Sequence, residues 1–283
     1  MNSNQGNLSG DIIESARSYL SDYRMVNPGQ FQEGALGLLD LNRAEYQLTS
    51  IEHDLGIKLG GNIKLLEVGS GLGSFLMVAA IRGIDCYGIE PNEVGVETAI
   101  KRMPELRDRI KIGFGESLPY ESERFDLVVS FQVLEHTANP RQILKESIRV
   151  LKRGGFLYFV IPNYNSFWEG HYGLYWLPHF PRPLAKLYVR LLGREPEFLD
   201  GIQYITPKSI SRILLDEDVE LIDLGLKTWE RRLDSLDFPM WGSTGKLMRL
   251  AKLARTLKVI SLVKFLGKNF DLYYPIILVV KKN

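Results

Sequence analysis

Cysteine is almost absent from this chain: Cys86 is the single one in 283 residues, so no internal disulfide can form and folding needs no oxidising compartment. A surplus of either charge is missing too. Lys+Arg 35 against Asp+Glu 34 gives a net charge of +1, without the basic excess that duplex nucleic acid selects. No apolar run approaches the roughly 18 residues that a membrane-spanning helix needs. Residues Met1 to Gly10 are polar and lack a basic stretch followed by an apolar one, so they read as a tail and not as a secretory leader. These absences predict a cytoplasmic chain, in solution or peripheral at the inner face of the membrane. Histidine is scarce as well. His53, His136, His171 and His179 form no close pair with one another or with cysteine at ligand spacing, so no metal site is expected.

What is present is ordinary globular material, 45% hydrophobic and 24% charged, which excludes disordered and collagen-like chains. Apolar residues recur at helical spacing in Ile12, Ile13, Ala16, Tyr19, Leu20 and again in Leu41, Ala44, Leu48, Ile51, Leu55, with Asn27-Pro28-Gly29 as a break between them. After Gly60-Gly61 short apolar runs take over. Strands are predicted at 64–68, 84–90, 110–113, 125–130 and 156–162, with helices near 73–82, 93–103 and 140–151. This alternation predicts a parallel, doubly wound α/β sheet. Residues 163–206 interrupt it: ten of the chain's 30 aromatic residues lie between Asn163 and Tyr204. The pattern resumes with a helix near 207–216, capped by Thr206, and strands at 219–228 and 274–281. A second insertion, 230–273, has no acidic residue from Phe238 to Phe270.

The run Leu65-Leu66-Glu67-Val68-Gly69-Ser70-Gly71-Leu72-Gly73 sets a glycine turn between a strand and a helix, where backbone can approach a ligand closely. Ser74 stands where a dinucleotide fingerprint has its third glycine, and a carboxylate at Glu67 suits an amine better than a pyrophosphate. Both details argue against a nicotinamide oxidoreductase. Glu90, 21 residues after Gly69, ends the second strand, where an acid can accept both hydroxyls of a ribose or simply be solvated.

With Gly88-Ile89-Glu90-Pro91, Gly115-Glu116-Ser117-Leu118-Pro119-Tyr120, Phe125 to Ser130, Leu134-Glu135-His136 and Arg149 to Gly155 following in order, the stretch from Asn62 to Asn163 resembles class I S-adenosylmethionine-dependent methyltransferases. The branch it looks like includes ubiquinone-biosynthesis-type O-methyltransferases. The resemblance implies a Rossmann-like, seven-stranded sheet, mostly parallel with an antiparallel last strand, over 61–283, with helical insertions at 163–206 and 230–273. It also implies a helical segment, 1–60, able to serve as a cofactor lid. It places the methionine end of S-adenosylmethionine at Glu67, Gly69, Gly71 and Gly73, the ribose at Glu90 beside Pro91, the adenine near Gly115 and Glu116, and the sulfonium end at Gln132. Phe114 departs from the pattern, because relatives often carry Asp there.

The implied activity is methyl transfer, to oxygen first and to nitrogen or carbon as alternatives; a non-catalytic module at a membrane or complex is the reading outside enzymes. His136 is the candidate base, or else a histidine that only shapes the pocket. Trp168, His171 and Tyr172 are candidates to meet a small-molecule, glycan or lipid-linked acceptor, unless the aromatics merely pack the insertion. Residues 245–268 read as a basic amphipathic helix that either covers the core or touches an anionic membrane. Nucleic acid is not an expected partner, and oligomeric state is open.

Overall fold

The computed structural model describes residues 9–22, 31–236 and 244–283. Its main sheet has seven strands in the order β3-β2-β1-β4-β5-β9-β8, formed by β1 (Lys64–Val68), β2 (Asp85–Glu90), β3 (Ile110–Ile112), β4 (Phe125–Phe131), β5 (Leu151–Ile161), β8 (Val219–Asp223) and β9 (Ile276–Lys282). It is a mixed, mostly parallel sheet, as expected. β6 (Trp168–Glu169) and β7 (Leu174–Tyr175) make a separate small antiparallel pair. The chain forms two compact units, one of residues 1–133, 139–158 and 281–283, the other of 134–138 and 159–280.

In the first unit β1 pairs in parallel with β2 and with β4, and β2 with β3. Leu65, Leu66, Leu127, Val128 and Val129 are all buried, the continuous apolar pattern of strands covered on both faces. Helix α4 (Ser74–Ile81) is apolar from Phe75 onward and buries Phe75 to Ala79. Helix α5 (Glu93–Arg102) starts where Asn92 accepts a hydrogen bond from the Gly95 N–H, and α6 (Pro140–Val150) where Asn139 accepts one from the Gln142 N–H. The N-terminal segment holds α1 (Gly10–Asp22), α2 (Phe31–Leu39) and α3 (Leu41–Leu55). The anticipated break at Asn27-Pro28-Gly29 lies outside the described residues. Asp40 supplies a further break by capping α3 through the Asn42 N–H. Ala16, Tyr19, Leu20, Ala35 and Leu39 pack around Leu72 of the glycine turn.

Two strand boundaries differ from expectation by more than two residues. β5 begins at Leu151, five residues early, because the Gly154-Gly155 pair that looks like a strand-breaking turn lies inside it. A β-carbon at Gly155 would stand 2.9 Å from the Asp126 carbonyl oxygen, so close backbone approach requires glycine there. The strand expected over 219–228 stops at Asp223, and α9 (Leu224–Ser235) follows. Alternating Ile222, Leu224 and Leu226 imitate a strand, yet Gly225, Thr228 and Leu233 are the positions buried, on the helical face.

In the second unit α7 (Arg182–Leu191) follows β7, and α8 (Pro207–Leu214) carries the anticipated Thr206 cap as a reciprocal box with Ser209. Helices α10 (Thr244–Thr256) and α11 (Ile260–Asn269) form the basic segment. No helix among the described residues is long and apolar enough to cross a membrane.

Candidate functional site

The glycine turn connects β1 to α4 in the first unit. Gly69, Gly71 and Gly73 all have left-handed φ, of 77°, 52° and 76°, a region that costs other residues strain. Space enforces two of them: a β-carbon at Gly69 would lie 2.3 Å from Val133 Cγ2, and one at Gly73 2.6 Å from Ala99 Cβ. The turn is tied to the next strand, since the Gly69 and Ser70 N–H groups both donate to the Ile89 carbonyl.

Glu90 is buried at the end of β2, its carboxylate accepting the Gly71 N–H at 2.8 Å and the Asn92 N–H at 3.1 Å. Such hydrogen bonds fix the carboxylate's orientation before any ligand arrives. Glu67 is buried too, and its Oε2 has no hydrogen-bond partner. Burial, with the negative Glu90 adding to it, pushes the Glu67 carboxyl well above the usual carboxylate range. An orphaned, buried carboxylate oxygen beside a second carboxylate is suited to an incoming ammonium group. The residues therefore fit a cofactor bearing an amine and a ribose.

The other cofactor candidates also lie in this unit. Pro91 is exposed directly after Glu90, and Gly115 is buried where a β-carbon would meet Val68 Cγ1 at 2.9 Å, which brings the loop after β3 against the end of β1. Glu116 is half-buried, while Phe114 is 65% exposed. Gln132, just past β4, has φ 57°, an uncommon backbone state for a non-glycine residue. Sequence reasoning missed two supports of the turn. Tyr19 of α1 comes within 3.4 Å of a β-carbon position at Gly71. Arg102, on α5, donates to the Leu72 carbonyl, the Ser74 hydroxyl and the Leu39 carbonyl, and its burial lowers its pKa to about 10. Helical spacing marks Tyr19 only as part of an apolar face, and nothing in the linear pattern marks Arg102.

The second unit holds a different cluster. A short 3-10 turn, Leu134–His136, carries Glu135 and His136, and the Gln203 N–H donates to the Glu135 carbonyl at 2.7 Å. His171 comes from the turn after β6. Its Nε2 lies 3.3 Å from His136 Nε2, and its Nδ1 lies 2.7 Å from Glu169 Oε1. Glu169 in turn accepts from the Tyr172 N–H and the Tyr164 hydroxyl. Phe198 walls the cluster, its ring 5.0 Å from His171 and 5.9 Å from His136.

Burial, reinforced by His171, pushes the His136 pKa down to about 3, so this imidazole is neutral at physiological pH. For His171 burial also favours the neutral form, but the Glu169 carboxylate outweighs it and the pKa rises. Burial raises Glu135 to about 7. Of the other acceptor candidates, Trp168 is buried edge-on to Tyr175, and Tyr172 is buried with its hydroxyl donating to the Glu195 carbonyl. The expectation of no metal rested on linear spacing, and the fold joins His136 to His171 across 35 residues. Glu135 and Glu169 were visible inside the Leu134-Glu135-His136 motif and the aromatic insertion, but only the fold brings them to the two histidines.

The model of the methyltransferase domain family matches residues 66–159. An uncharacterised methyltransferase from Mycolicibacterium vanbaalenii is 29% identical over 139 residues, 48% of this chain and 53% of that protein. A ubiquinone biosynthesis O-methyltransferase from Pseudomonas putida is 30% identical over 117 residues, 40% of this chain and 49% of that one. The chain thus spans about half the length of these curated relatives. Among solved structures, the geranyl diphosphate C-methyltransferase of Streptomyces coelicolor, in complex with Mg2+, geranyl diphosphate and S-adenosyl-L-homocysteine, superposes with a TM-score of 0.53 at 14% identity, over 98% of this chain and all of that one. That likeness concerns the fold. Residues 66–159 carry a methyltransferase domain, and the ordered motifs and sheet topology are similar to those of the class I S-adenosylmethionine-dependent methyltransferases, whose cofactor the carboxylates and glycine turn of the first unit fit.

Proposed function

We propose that the chain methylates an oxygen atom of a small-molecule, glycan or lipid-linked acceptor. The observation that carries the transfer chemistry is the buried Glu67–Glu90 pair around the glycine turn, with one oxygen of Glu67 unpartnered. When bound, S-adenosylmethionine supplies a methyl group made electrophilic by its sulfonium. Glu67 would hold the ammonium, Glu90 the ribose hydroxyls, and the loop at Gly115 and Glu116 the adenine, with Gln132 toward the sulfonium end. Tyr19 and the packing of α1 and α2 on Leu72 support a covering role for the N-terminal helices.

Oxygen is favoured by the buried imidazole cluster. A hydroxyl must lose its proton as it attacks, and a positioned base contributes typically 10²- to 10⁴-fold. His136 is neutral and can accept that proton. Its low pKa makes it a weak base alone, but the 3.3 Å contact passes the charge to His171, where Glu169 stabilises it. The ubiquinone-related O-methyltransferase among the relatives supports the same reading. The test is incubation of cell extract and purified chain with S-adenosylmethionine carrying a carbon-13 methyl. The chemical shift of the transferred carbon reports an O-methyl product; an N- or C-methyl signal would overturn the oxygen assignment.

Attachment to an anionic membrane is the second reading. Leu253 on α10, Leu257 in the turn after it, and Leu262 and Phe265 on α11 are exposed, beside exposed Arg249, Lys252, Lys258 and Lys268. Lys264 and Arg255 contribute less, because Asp234 pairs with the first and the Leu233 and Asp234 carbonyls accept from the second.

A further inference from the structure

We propose that Glu135, His136 and His171 form a binding site for one divalent first-row transition-metal ion. The proposal stands on the geometry of the second unit and does not need the methyl-transfer reading. The three candidate ligand atoms form a compact triangle: His136 Nε2 to His171 Nε2 is 3.3 Å, and Glu135 Oε1 is 3.8 Å from each. A point equidistant from all three lies about 2.1 Å from each atom, within the ~2.0–2.2 Å of zinc bonds to imidazole nitrogen and carboxylate oxygen. Among the described residues this is the cluster of histidine and carboxylate ligands that meets such a requirement.

A second, independent observation points to a cation. Glu135 is fully buried, and neither of its carboxylate oxygens has a hydrogen-bond partner. At 3.8 Å the imidazole nitrogens are too far to serve as donors. Buried carboxylates are as a rule paired, hydrogen-bonded or bound to a metal. A metal ion at the equidistant point supplies the missing partner at Oε1.

The surroundings complete the arrangement. Glu169 Oε1 lies 2.7 Å from His171 Nδ1, and an Nδ1–H donated there leaves Nε2 with a bare lone pair turned to the ion. Such carboxylate–histidine–metal chains fix the tautomer and raise the basicity of the ligand. Glu169 is itself held by the Tyr172 N–H and the Tyr164 hydroxyl, so the chain of orientation runs three groups deep.

Two imidazoles and one carboxylate select zinc, iron, cobalt, nickel or manganese over magnesium and calcium, which prefer all-oxygen shells. Three protein ligands leave a fourth position for an oxygen donor, the pattern of catalytic sites and not of closed structural ones. With the ion bound, His136 and His171 would serve as ligands, and the metal would make a hydroxyl held at the fourth position more acidic. Without it, His136 receives the proton as described above.

The test uses the full chain, free of any histidine tag and stripped with chelator, titrated with zinc chloride by calorimetry and with cobalt(II) chloride by visible absorption. One equivalent of zinc per chain and the intense visible bands of a low-coordinate cobalt site are expected. Glu135→Gln and His171→Ala should each weaken zinc binding about 10-fold or more, and Glu169→Gln, which acts through His171, about 10- to 100-fold. His53→Ala and His179→Ala should leave binding unchanged. Binding of S-adenosylhomocysteine, which depends on the first unit, is measured on every variant to show that it is folded. The wild-type cobalt spectrum needs no variant at all. A cobalt spectrum identical to the free hydrated ion, or zinc affinity indifferent to Glu135→Gln and His171→Ala, would overturn the site, whatever the outcome for cofactor binding.

Discussion

Replacing Glu67 by Gln separates the cofactor's demand from the fold's. In the free protein Glu67 is 5% exposed, one oxygen has no partner, and its neighbour Glu90 is also acidic. On the proposed reading, the same carboxylate would gain the cofactor's ammonium as a partner. A hydrogen bond to a charged group contributes about 1.5–3 kcal/mol, which corresponds to roughly a 10- to 150-fold loss of affinity for S-adenosylhomocysteine in Glu67→Gln.

Stability should move the other way. Because the folded-state pKa of Glu67 is raised above 4.5, the folded chain keeps a proton that the unfolded chain has released. This contribution is fully present below about 4.5 and is lost as pH rises through the folded value. The Gln variant has no such proton to lose, so its melting temperature should gain on that of the wild type as pH rises. Cofactor affinity of the wild type should climb over the same window, since binding requires the ionised carboxylate. Calorimetric titration and thermal unfolding across about pH 5 to 8 read both effects. Unchanged affinity together with an unchanged difference in melting temperature would refute the assignment of Glu67.

Gly73→Ala forces a β-carbon to within 2.6 Å of Ala99 Cβ in a left-handed backbone, and thermal unfolding should show a loss of about 1–3 kcal/mol or more; a neutral result would mean that α5 is free to shift. Once an acceptor is known, His136→Ala should lower kcat about 100-fold or more with cofactor affinity intact, and a loss below about threefold would reduce His136 to a shaping residue. Anionic vesicles should co-sediment the chain at low salt, less so with Arg249→Glu plus Lys252→Glu or with added salt, while neutral vesicles bind weakly. Absence of sedimentation would make α10 and α11 a solvated cover.

Local chemistry made the first unit legible. A strand–glycine–helix turn and an acid at the end of β2 act over a few residues, so their spacing carries the information, as it does for the Thr206 cap in the second unit. What failed was also local but ambiguous. Gly154-Gly155 reads as punctuation unless one sees β4 approach it, and Ile222, Leu224 and Leu226 alternate like a strand although α9 begins at Leu224. The second unit's cluster was illegible for another reason: its chemistry comes from residues 35 apart in sequence, and no periodicity announces that His171 will meet His136. Tyr19 and Arg102 support the glycine turn from distant helices, and only packing shows it.

The central claim is that the carboxylates and glycine turn of the first unit bind S-adenosylmethionine. Calorimetric titration of the whole chain with S-adenosylmethionine and, separately, with NAD tests it most directly. The account predicts one S-adenosylmethionine per chain, weakened by Glu90→Ala through the loss of the ribose-accepting carboxylate, and no binding of NAD. Tight binding of NAD, or no heat with S-adenosylmethionine from a folded sample, would contradict it.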